Sequence, residues 1–382
     1  MLRVELTQDA IGPVSRGHPW VYRDGLRGRP PAVGESVLLV DQKNRPVGFG
    51  LVDRGDIVVR VLGRQPDRID HLLARRIQSA ADARPRLLPP GTDAYRLLNG
   101  AGDGLPGLVA DRYGALVVVR IYGACWLPHL DAIVDNLAAI DGVESVMRRR
   151  GVRRVDGGDG HDILHGPAPA ETIVVSECGL RFLVRPTVGQ KTGLFLDQRE
   201  HRQRIGMMSR QASAVVNLFA YTGGFSVYAA AAGAERVTTV DIAPEAVADA
   251  RENFRLNGLD PDRHAFEVAD AFKYTPDAPP DVLICDPPSL SRSQKSDRHA
   301  HKAYRDLAER CGRQLAGAGL LATASCTARL TQERWEQAIR DGLRKTGRWS
   351  WLWRAAEPPD HPVLTQHPEG RYLKFALLRR LQ

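Results

Sequence analysis

Short alternating runs of apolar residues open the chain. The runs ESVLLVD (35–41), PVGFGLVD (46–53) and DIVVRVLG (56–63) are separated by Gly, Asp, Asn and Pro residues. Runs of this length between turn residues predict β-strands. Residues 1–70 are therefore predicted to form a small all-β barrel or sandwich.

The segment SRGHPWVYRDGLRGR (15–29) interleaves basic and aromatic residues within this block. Such a pattern can contact phosphates and stack on bases, which makes Arg16, His18, Trp20 and Arg23 candidate RNA contacts. A solvated loop with Trp20 packed into the core explains the same pattern, so both interpretations stay open.

The second block, residues 71–184, mixes the two periodicities. The segment LPGLVADRYGALVVVRIYG (105–123) is typical of a hairpin, and WLPHLDAIVDNLAAI (126–140) has apolar residues at helical spacing. A further strand is predicted in VESVMRRRGV (143–152). Together they indicate a β-β-α-β-β unit.

The third block, residues 185–382, alternates strand-like and helix-like segments. Apolar runs at 213–220, 236–241, 264–270, 281–286 and 319–326 are separated by helical patterns. This alternation predicts an open parallel sheet with helices on both faces. The fold class expected for the chain is multidomain α/β, with domains at 1–70, 71–184 and 185–382.

Composition narrows the class of protein. The 382 residues carry a formal net charge of +8, which favours a polyanionic partner such as nucleic acid. No run of 18 apolar residues is present and the first residues lack a signal-peptide pattern, so no membrane association is expected. The five cysteines are scattered without a CxxC pair, which predicts neither a zinc site nor disulfides and favours a reducing cytoplasm.

The strand ends of the third block carry the candidate ligand-binding residues, because ligands bind at the carboxyl ends of strands in such sheets. Gly223-Gly224 opens a helix, but the GxGxxG pattern of a pyrophosphate site is absent. Asp241 follows Gly223 by 241 − 223 = 18 residues, close to the spacing of a ribose-binding acid. A ribose without a pyrophosphate cradle suggests S-adenosylmethionine (SAM).

Three later strand ends carry further candidate ligand-binding or catalytic residues. Asp270-Ala271 is suited to an adenine edge, and Asp286 precedes two prolines that make a stiff, extended turn. Cys326 ends the last apolar run, where a thiol is either a packing residue or a nucleophile. If β-strand order is that usual in methyltransferases, Asp286 and Cys326 lie on neighbouring strand ends.

The chain resembles the bacterial large-subunit rRNA methyltransferase I family, which are PUA-domain 23S rRNA (cytosine-5)-methyltransferases, over essentially its whole length. The segments that carry the resemblance are SRGHPWVY, DGLPGLVADRYG, GQKTGLFLDQRE, NLFAYTGGFSV, DPP, TASCT and DHPVLTQHPEGRYLKF. The resemblance implies an N-terminal PUA domain, the β-β-α-β-β domain and a C-terminal class I Rossmann-like methyltransferase domain. It implies 23S rRNA or the assembling large ribosomal subunit as partner, and a homodimer is a further expectation.

The resemblance also implies roles for individual residues. Gln198 and the loop from Asn217 through Ala220 and Thr222 to Gly223 would flank the methionine part of SAM. The ribose and adenine would be held by Asp241, Ile242, Asp270 and Ala271. Asp286 would lie between cofactor and target base, and Cys326 would be the nucleophile. No metal is needed for methyl transfer.

Two departures from related enzymes concern the fourth strand end. Many RNA 5-methylcytosine enzymes carry a second cysteine after the proline, where this chain has Pro288-Ser289. Cys285 is expected in the core, so a single-cysteine mechanism is implied. Ser289-Leu290 stands where an aromatic residue is more common, and the segment 291–302 is either a basic substrate-binding loop or a solvated linker.

Three other functions remain open. An N-methyltransferase acting on guanine or adenine of rRNA is compatible with the Asp286 turn but has no use for Cys326. A non-catalytic RNA-binding protein of ribosome assembly would not need the glycine turn, Asp241 and Cys326. A small-molecule methyltransferase is disfavoured by the basic charge and the N-terminal block.

Overall fold

A computed structural model describes residues 1–290 and 297–381. The chain forms two compact units: the first comprises Met1–Gly179, Val184–Leu196 and Pro359–Gly370, and the second comprises Leu180–Leu183, Asp197–Pro358 and the residues from Arg371 onward. The boundaries expected near residues 70 and 184 stay a prediction. Among the described residues, no helix combines the length and apolarity needed to cross a membrane.

The first sheet of unit 1 has five strands in the order β1-β3-β4-β5-β2. Apolar residues of these strands, such as Val37, Leu39, Val52 and Val59, point into one core and are fully buried. The elements are β1 (Leu2–Glu5), α1 (Gln8–Ser15), β2 (Trp20–Tyr22), β3 (Ser36–Val40), β4 (Pro46–Val52) and β5 (Ile57–Gly63).

The second sheet of unit 1 has the order β10-β9-β8-β7-β6 and packs against two helices. Its elements are α2 (Ile69–Leu87), β6 (Ala94–Asn99), β7 (Leu108–Tyr113), β8 (Leu116–Ile121), α3 (Leu130–Ala138), β9 (Ser145–Arg149), α4 (Arg153–Asp156) and β10 (His161–His165).

The predicted β-β-α-β-β unit corresponds to β7, β8, α3, β9 and β10. The sheet also contains β6, which was not predicted from the sequence. The pairing of β6 with β7 shifts register between Arg96 and Leu98. Because of this irregularity Leu97 and Leu98 are both fully buried, and the strand lacks the regular alternation that identifies strands in a sequence. Two further strands, β11 (Ile173–Glu177) and β12 (Leu180–Val184), form a two-stranded sheet.

Unit 2 is built on a seven-stranded sheet with the order β15-β14-β13-β16-β17-β19-β18. The first five of these strands are parallel, as the strand–helix alternation predicts. They are β13 (Ala214–Leu218), β14 (Arg236–Asp241), β15 (Ala265–Val268), β16 (Val282–Cys285) and β17 (Leu320–Ser325). The helices are α5 (Arg199–Met208), α6 (Gly224–Ala231), α7 (Pro244–Leu256), α8 (Asp297–Gln314) and α9 (Gln332–Leu343).

The sheet is not wholly parallel, because β18 (Arg348–Ala355) and β19 (Lys374–Leu381) form an antiparallel pair at one side. β19 lies between β17 and β18 and pairs antiparallel with both. No helix of the alternating pattern separates these two strands, so the alternation that identified the other five gives no signal for them. Their register sets Lys374 of β19 directly opposite Ser325 of β17.

Candidate active site

The five parallel strands of unit 2 end along one edge of the sheet. β16 and β17 are neighbours, with Cys285 opposite Thr323. Asp286, which follows β16, and Cys326, which follows β17, therefore lie on adjacent strand ends of this edge, as the sequence analysis expected. The segments that follow the other strands of the edge are 219–223, 242–243 and 269–272.

The turn between β13 and α6 has an unusual backbone. Phe219 and Tyr221 have φ values of 57° and 49°, and Gly223 at the start of α6 has φ 75°. A left-handed conformation in two non-glycine residues costs free energy, and such strain is concentrated at ligand-binding turns. Gly223 is required sterically as well, because a Cβ there would lie 2.9 Å from the Cβ of Ala250.

Asp241 holds this turn in place. Its Oδ2 accepts a hydrogen bond from the Tyr221 N–H at 2.7 Å, and its Oδ1 accepts one from the Ala243 N–H at 3.0 Å. Each carboxylate oxygen has a further lone pair, so the same side chain can accept hydrogen bonds from two ribose hydroxyls.

Exposed apolar side chains line the edge beside Asp241. Ile242 is 71% exposed, Val268 54% and Phe272 42%, although large apolar side chains are usually buried. The Phe272 ring packs edge-on against Phe219, with centroids 4.8 Å apart. Exposed apolar surface of this kind is typical of a ligand-binding surface, and it lies beside Asp241, the residue predicted to bind the ribose.

The predicted adenine contacts lie on the same edge. Asp270 accepts a hydrogen bond from the Phe272 N–H at 3.0 Å and pairs with Lys273 at 3.4 Å. Ala271 is buried. Asp270 is therefore held by its own turn beside the exposed Phe272.

The polar and small residues predicted to flank the methionine part of SAM lie at the end of β13. Asn217 is buried and its Nδ2 donates to Ser226 Oγ at 2.9 Å, whereas its Oδ1 has no hydrogen-bond partner among the residues that the structure describes. A buried acceptor is costly unless a ligand or water satisfies it, and the ammonium group of methionine is a suitable donor. Ala220 and Thr222 are buried in the turn, and the Thr222 carbonyl accepts from Asn253.

Asp286 is hydrogen-bonded to a residue from the start of α5. Gln198 is buried and donates from Nε2 to Asp286 Oδ2 at 2.8 Å. The Gln198 Oε1 in turn lies 2.5 Å from Nδ1 of His201. The structure thus brings Gln198 next to the candidate catalytic carboxylate.

The segment around Cys326 is held by hydrogen bonds on both sides. The Thr327 N–H donates to Ser325 Oγ at 3.2 Å, and Thr327 Oγ1 lies 3.0 Å from the Tyr304 hydroxyl of α8. The Leu290 N–H donates to the same Thr327 Oγ1 at 3.3 Å. These contacts link the segment after Cys326 to the turn after Asp286.

A buried lysine lies beside this segment. Lys374 Nζ donates to the Thr327 carbonyl at 3.0 Å and to the Tyr372 carbonyl at 3.1 Å. Burial lowers the pKa of Lys374, and the negative groups Glu357 and Cys326 oppose this shift. The lysine therefore contributes a cation to the electrostatic environment of Cys326.

The other cysteines have different surroundings. Cys285 and Cys311 are buried in the core, and hydrogen bonding to Cys311 together with burial raises the pKa of Cys285. Burial also raises the pKa of Cys125. A raised pKa disfavours the thiolate that nucleophilic attack requires. Cys326, by contrast, is partly exposed at the strand edge.

The candidate RNA contacts in unit 1 fall into two pairs. Arg16 and Arg23 are exposed. His18 and Trp20 are half-buried in a cluster with His367, whose ring centroid lies 4.1 Å from that of Trp20. The structure therefore leaves the two arginines accessible and involves the two rings in packing.

Comparisons with known proteins agree with this fold. A family model described as S-adenosylmethionine-dependent methyltransferase matches residues 130–370, and one described as PUA-like domain matches residues 4–64. A ribosomal RNA large subunit methyltransferase from Deinococcus radiodurans is 37% identical over 400 residues, which cover 99% of this chain and 97% of that protein. A ribosomal RNA large subunit methyltransferase I from Shewanella denitrificans is 32% identical over 99% of both chains.

Solved structures give the same result. A protein from Streptococcus mutans described as a SAM-dependent methyltransferase is 25% identical, with a TM-score of 0.87 over 99% of this chain and 100% of that one. A second methyltransferase structure, in complex with SAH, has a TM-score of 0.88 at 25% identity, with the same coverage.

Fold and site thus define a SAM-dependent methyltransferase with an N-terminal PUA-like domain. The chain belongs to the ribosomal RNA large subunit methyltransferase I family. The predicted fold class and the predicted cofactor, SAM, are confirmed.

Two buried residues at this site, His201 and Lys374, were not predicted from the sequence. His201 follows the DQR segment that carried part of the resemblance, and Lys374 interrupts an apolar run, LKFALL. A charged residue inside an apolar strand was the available signal for Lys374. The expected basic loop lies partly at 291–296, outside the described residues.

Proposed function

We propose that this protein transfers a methyl group from SAM to carbon 5 of a cytosine in 23S rRNA, through a covalent adduct between Cys326 and carbon 6. The observation that carries the proposal is the position of Asp286 and Cys326 on adjacent strand ends of one sheet edge, with the buried Lys374 next to Cys326. The names of the relatives support large-subunit rRNA as substrate.

The chemistry requires a nucleophile because carbon 5 of cytosine is itself unreactive. The Cys326 thiolate adds to carbon 6, and the ring electrons move to carbon 5, which becomes enamine-like. Bound SAM supplies an electrophilic methyl group. After carbon 5 has taken that methyl group, a base removes its proton, and the electron pair expels the Cys326 thiolate to restore the ring.

Lys374 and Asp286 have complementary roles in this proposal. The Lys374 cation favours the thiolate form of Cys326 over the neutral thiol. Asp286 shares a proton with ring nitrogen N3 and so stabilises the charge that the ring acquires on attack. The absence of a second cysteine after Pro288 leaves product release to a base other than a thiol.

The PUA-like domain supplies RNA affinity in the proposed complex. The exposed Arg16 and Arg23 contact phosphates, and the ring cluster of His18 and Trp20 supports the surface between them. The proposed place of action is the cytoplasm. The expected homodimer stays a prediction, which sedimentation velocity of the full chain measures directly.

Replacement of Cys326 by alanine tests the chemistry. We expect Cys326→Ala to lose at least about a thousandfold in turnover, since the covalent route is removed, while SAM binding by calorimetry is retained. Cys178→Ala is the matched control, because Cys178 is partly exposed and lies in unit 1. Turnover is measured as 5-methylcytidine formed in 23S rRNA, by mass spectrometry of nucleosides.

A trapped adduct is the second readout. RNA with 5-fluorocytidine at the target has no carbon-5 proton to lose, so the wild-type enzyme should remain covalently attached and Cys326→Ala should not. Retained turnover in Cys326→Ala, or a methylated guanine or adenine as product, would refute the cytosine-5 proposal and favour an N-methyltransferase.

A further inference from the structure

His201 is fully enclosed by unit 2. It is 1% exposed, and its ring stacks on Phe375 with centroids 4.2 Å apart and an interplanar angle of 15°. Trp353 packs edge-on at 5.6 Å. Burial lowers the pKa of His201 to about 3, so the ring is neutral at pH 7 and carries one N–H.

Two acceptors compete for this single proton. Nδ1 lies 2.5 Å from Gln198 Oε1, and the Ala356 carbonyl also hydrogen-bonds the ring. Gln198 Nε2 lies 2.8 Å from Asp286 Oδ2. The orientation of one amide, that of Gln198, therefore has to satisfy a histidine on one side and a carboxylate on the other.

Whether Asp286 is a carboxylate or carries its proton on Oδ1, its Oδ2 is an acceptor, and only one orientation of the Gln198 amide then avoids a contact between two acceptors. If the Gln198 amide were reversed, its Oε1 would face a carboxylate oxygen at 2.8 Å, and two acceptors would be in contact. With the amide as found, Oε1 faces His201, and the ring pairs with it only when the proton that the Ala356 carbonyl also competes for lies on Nδ1. A proton on the opposite nitrogen would again leave two acceptors in contact.

We infer that His201 is a positioning residue for the methyl-transfer reaction: it donates from Nδ1 to Gln198 and thereby fixes the amide whose N–H orients the Asp286 carboxyl group through Oδ2. This inference rests on the proposed role of Asp286 and extends it to two residues that do not touch the base. Other groups that face this chain of contacts are Asp197 and Arg202 beside His201, and Cys285 and Tyr304 beside Asp286.

The tautomer of His201 is the direct test, because it does not depend on activity. In the full-length protein labelled with ¹⁵N-histidine, the His201 signals are assigned by their absence from His201→Asn. We expect a protonated Nδ1 and an unprotonated Nε2 at pH 7. A protonated Nε2 would overturn the inference, since Gln198 could then not be oriented by His201.

A double-mutant cycle tests the coupling. His201→Phe keeps a ring against Phe375 but removes the donor, and we expect kcat to fall by about five- to tenfold with the Kd for SAM unchanged. In the Gln198→Ala background the same substitution should cost nothing further, because the contact it acts through is gone. An equal loss in both backgrounds would identify a merely structural role.

His201→Asn is the conservative rescue, since its amide offers an N–H near the position of Nδ1. It should recover most of the kcat lost in His201→Phe although it loses the ring stack. If His201→Phe does not fold, as judged by thermal unfolding, the tautomer measurement on the wild-type protein still decides. Failure of the proposed function appears separately, as turnover that survives Cys326→Ala or Asp286→Asn.

Discussion

At the scale of single residues, the site depends on a lysine that is buried at a cost. Desolvation disfavours its charged form, yet two carbonyls accept hydrogen bonds from its ammonium group. Glu357 further favours the charged form. We propose that the buried charge of Lys374 makes the Cys326 thiol ionise more readily.

Lys374→Met should raise the pKa of the Cys326 thiol, because an opposite charge near the thiolate is lost. Lys374→Arg is the matched control, since it keeps the charge. The rate of alkylation of Cys326 by iodoacetamide is measured against pH by peptide mass spectrometry, independently of turnover. An identical pH profile in wild type and Lys374→Met would contradict the electrostatic role.

The site residues that were predicted from the sequence differ from those that were not in how their position is determined. Asp241, Asp286 and Cys326 each directly follow an apolar run, so their position at a strand end could be predicted from the local pattern. His201 and Lys374 reach the site only through contacts with segments far along the chain. Lys374, for example, depends on the register of β19 against β17, which no local pattern encodes.

At the scale of elements, the start of α6 combines backbone strain with close packing. The strained turn is held by Asp241 from β14, and Gly223 fits against α7 at Ala250. The five parallel strands were predictable because each is an isolated apolar run followed by a helix. β18 and β19 were not, because they interrupt that alternation.

Gly223→Ala should destabilise the protein by roughly 2 kcal/mol and weaken SAM binding, because it adds a strained φ and a contact at 2.9 Å. Gly258→Ala is the control: its φ is 67°, but no atom lies within 4 Å of the added Cβ. Urea unfolding and calorimetry with SAM measure the two effects. Equal effects of both substitutions would show that φ strain alone matters.

At the scale of the whole molecule, the charge of +8 supports a nucleic-acid substrate. The two units have distinct proposed tasks, with phosphate contacts in the PUA-like domain and chemistry in the seven-stranded sheet. Binding to rRNA should therefore weaken steeply as salt rises.

Arg16→Ala and Arg23→Ala should each weaken binding to 23S rRNA fragments and lower the slope of log Kd against log salt by about 1, if each arginine contacts one phosphate. SAM affinity should stay at the wild-type value, because both residues lie in unit 1. The exposed Arg334 of α9 in unit 2 provides a matched control as Arg334→Ala. A salt slope equal to that of wild type would remove these arginines from the RNA interface.

The insertion of β19 between β17 and β18 has a consequence for the protein as it is synthesised. Translation proceeds from the N-terminus, so β18 leaves the ribosome before β19, its only strand partner in the described part of the chain, exists. During that interval the sheet edge at β17 is open, and the tryptophans of β18 (Trp349, Trp351 and Trp353) have no strand to pair with. A nascent chain that stalls before Lys374 therefore lacks a complete catalytic site. It also exposes an unpaired strand with three tryptophans, and exposed apolar strands of this kind are bound by chaperones.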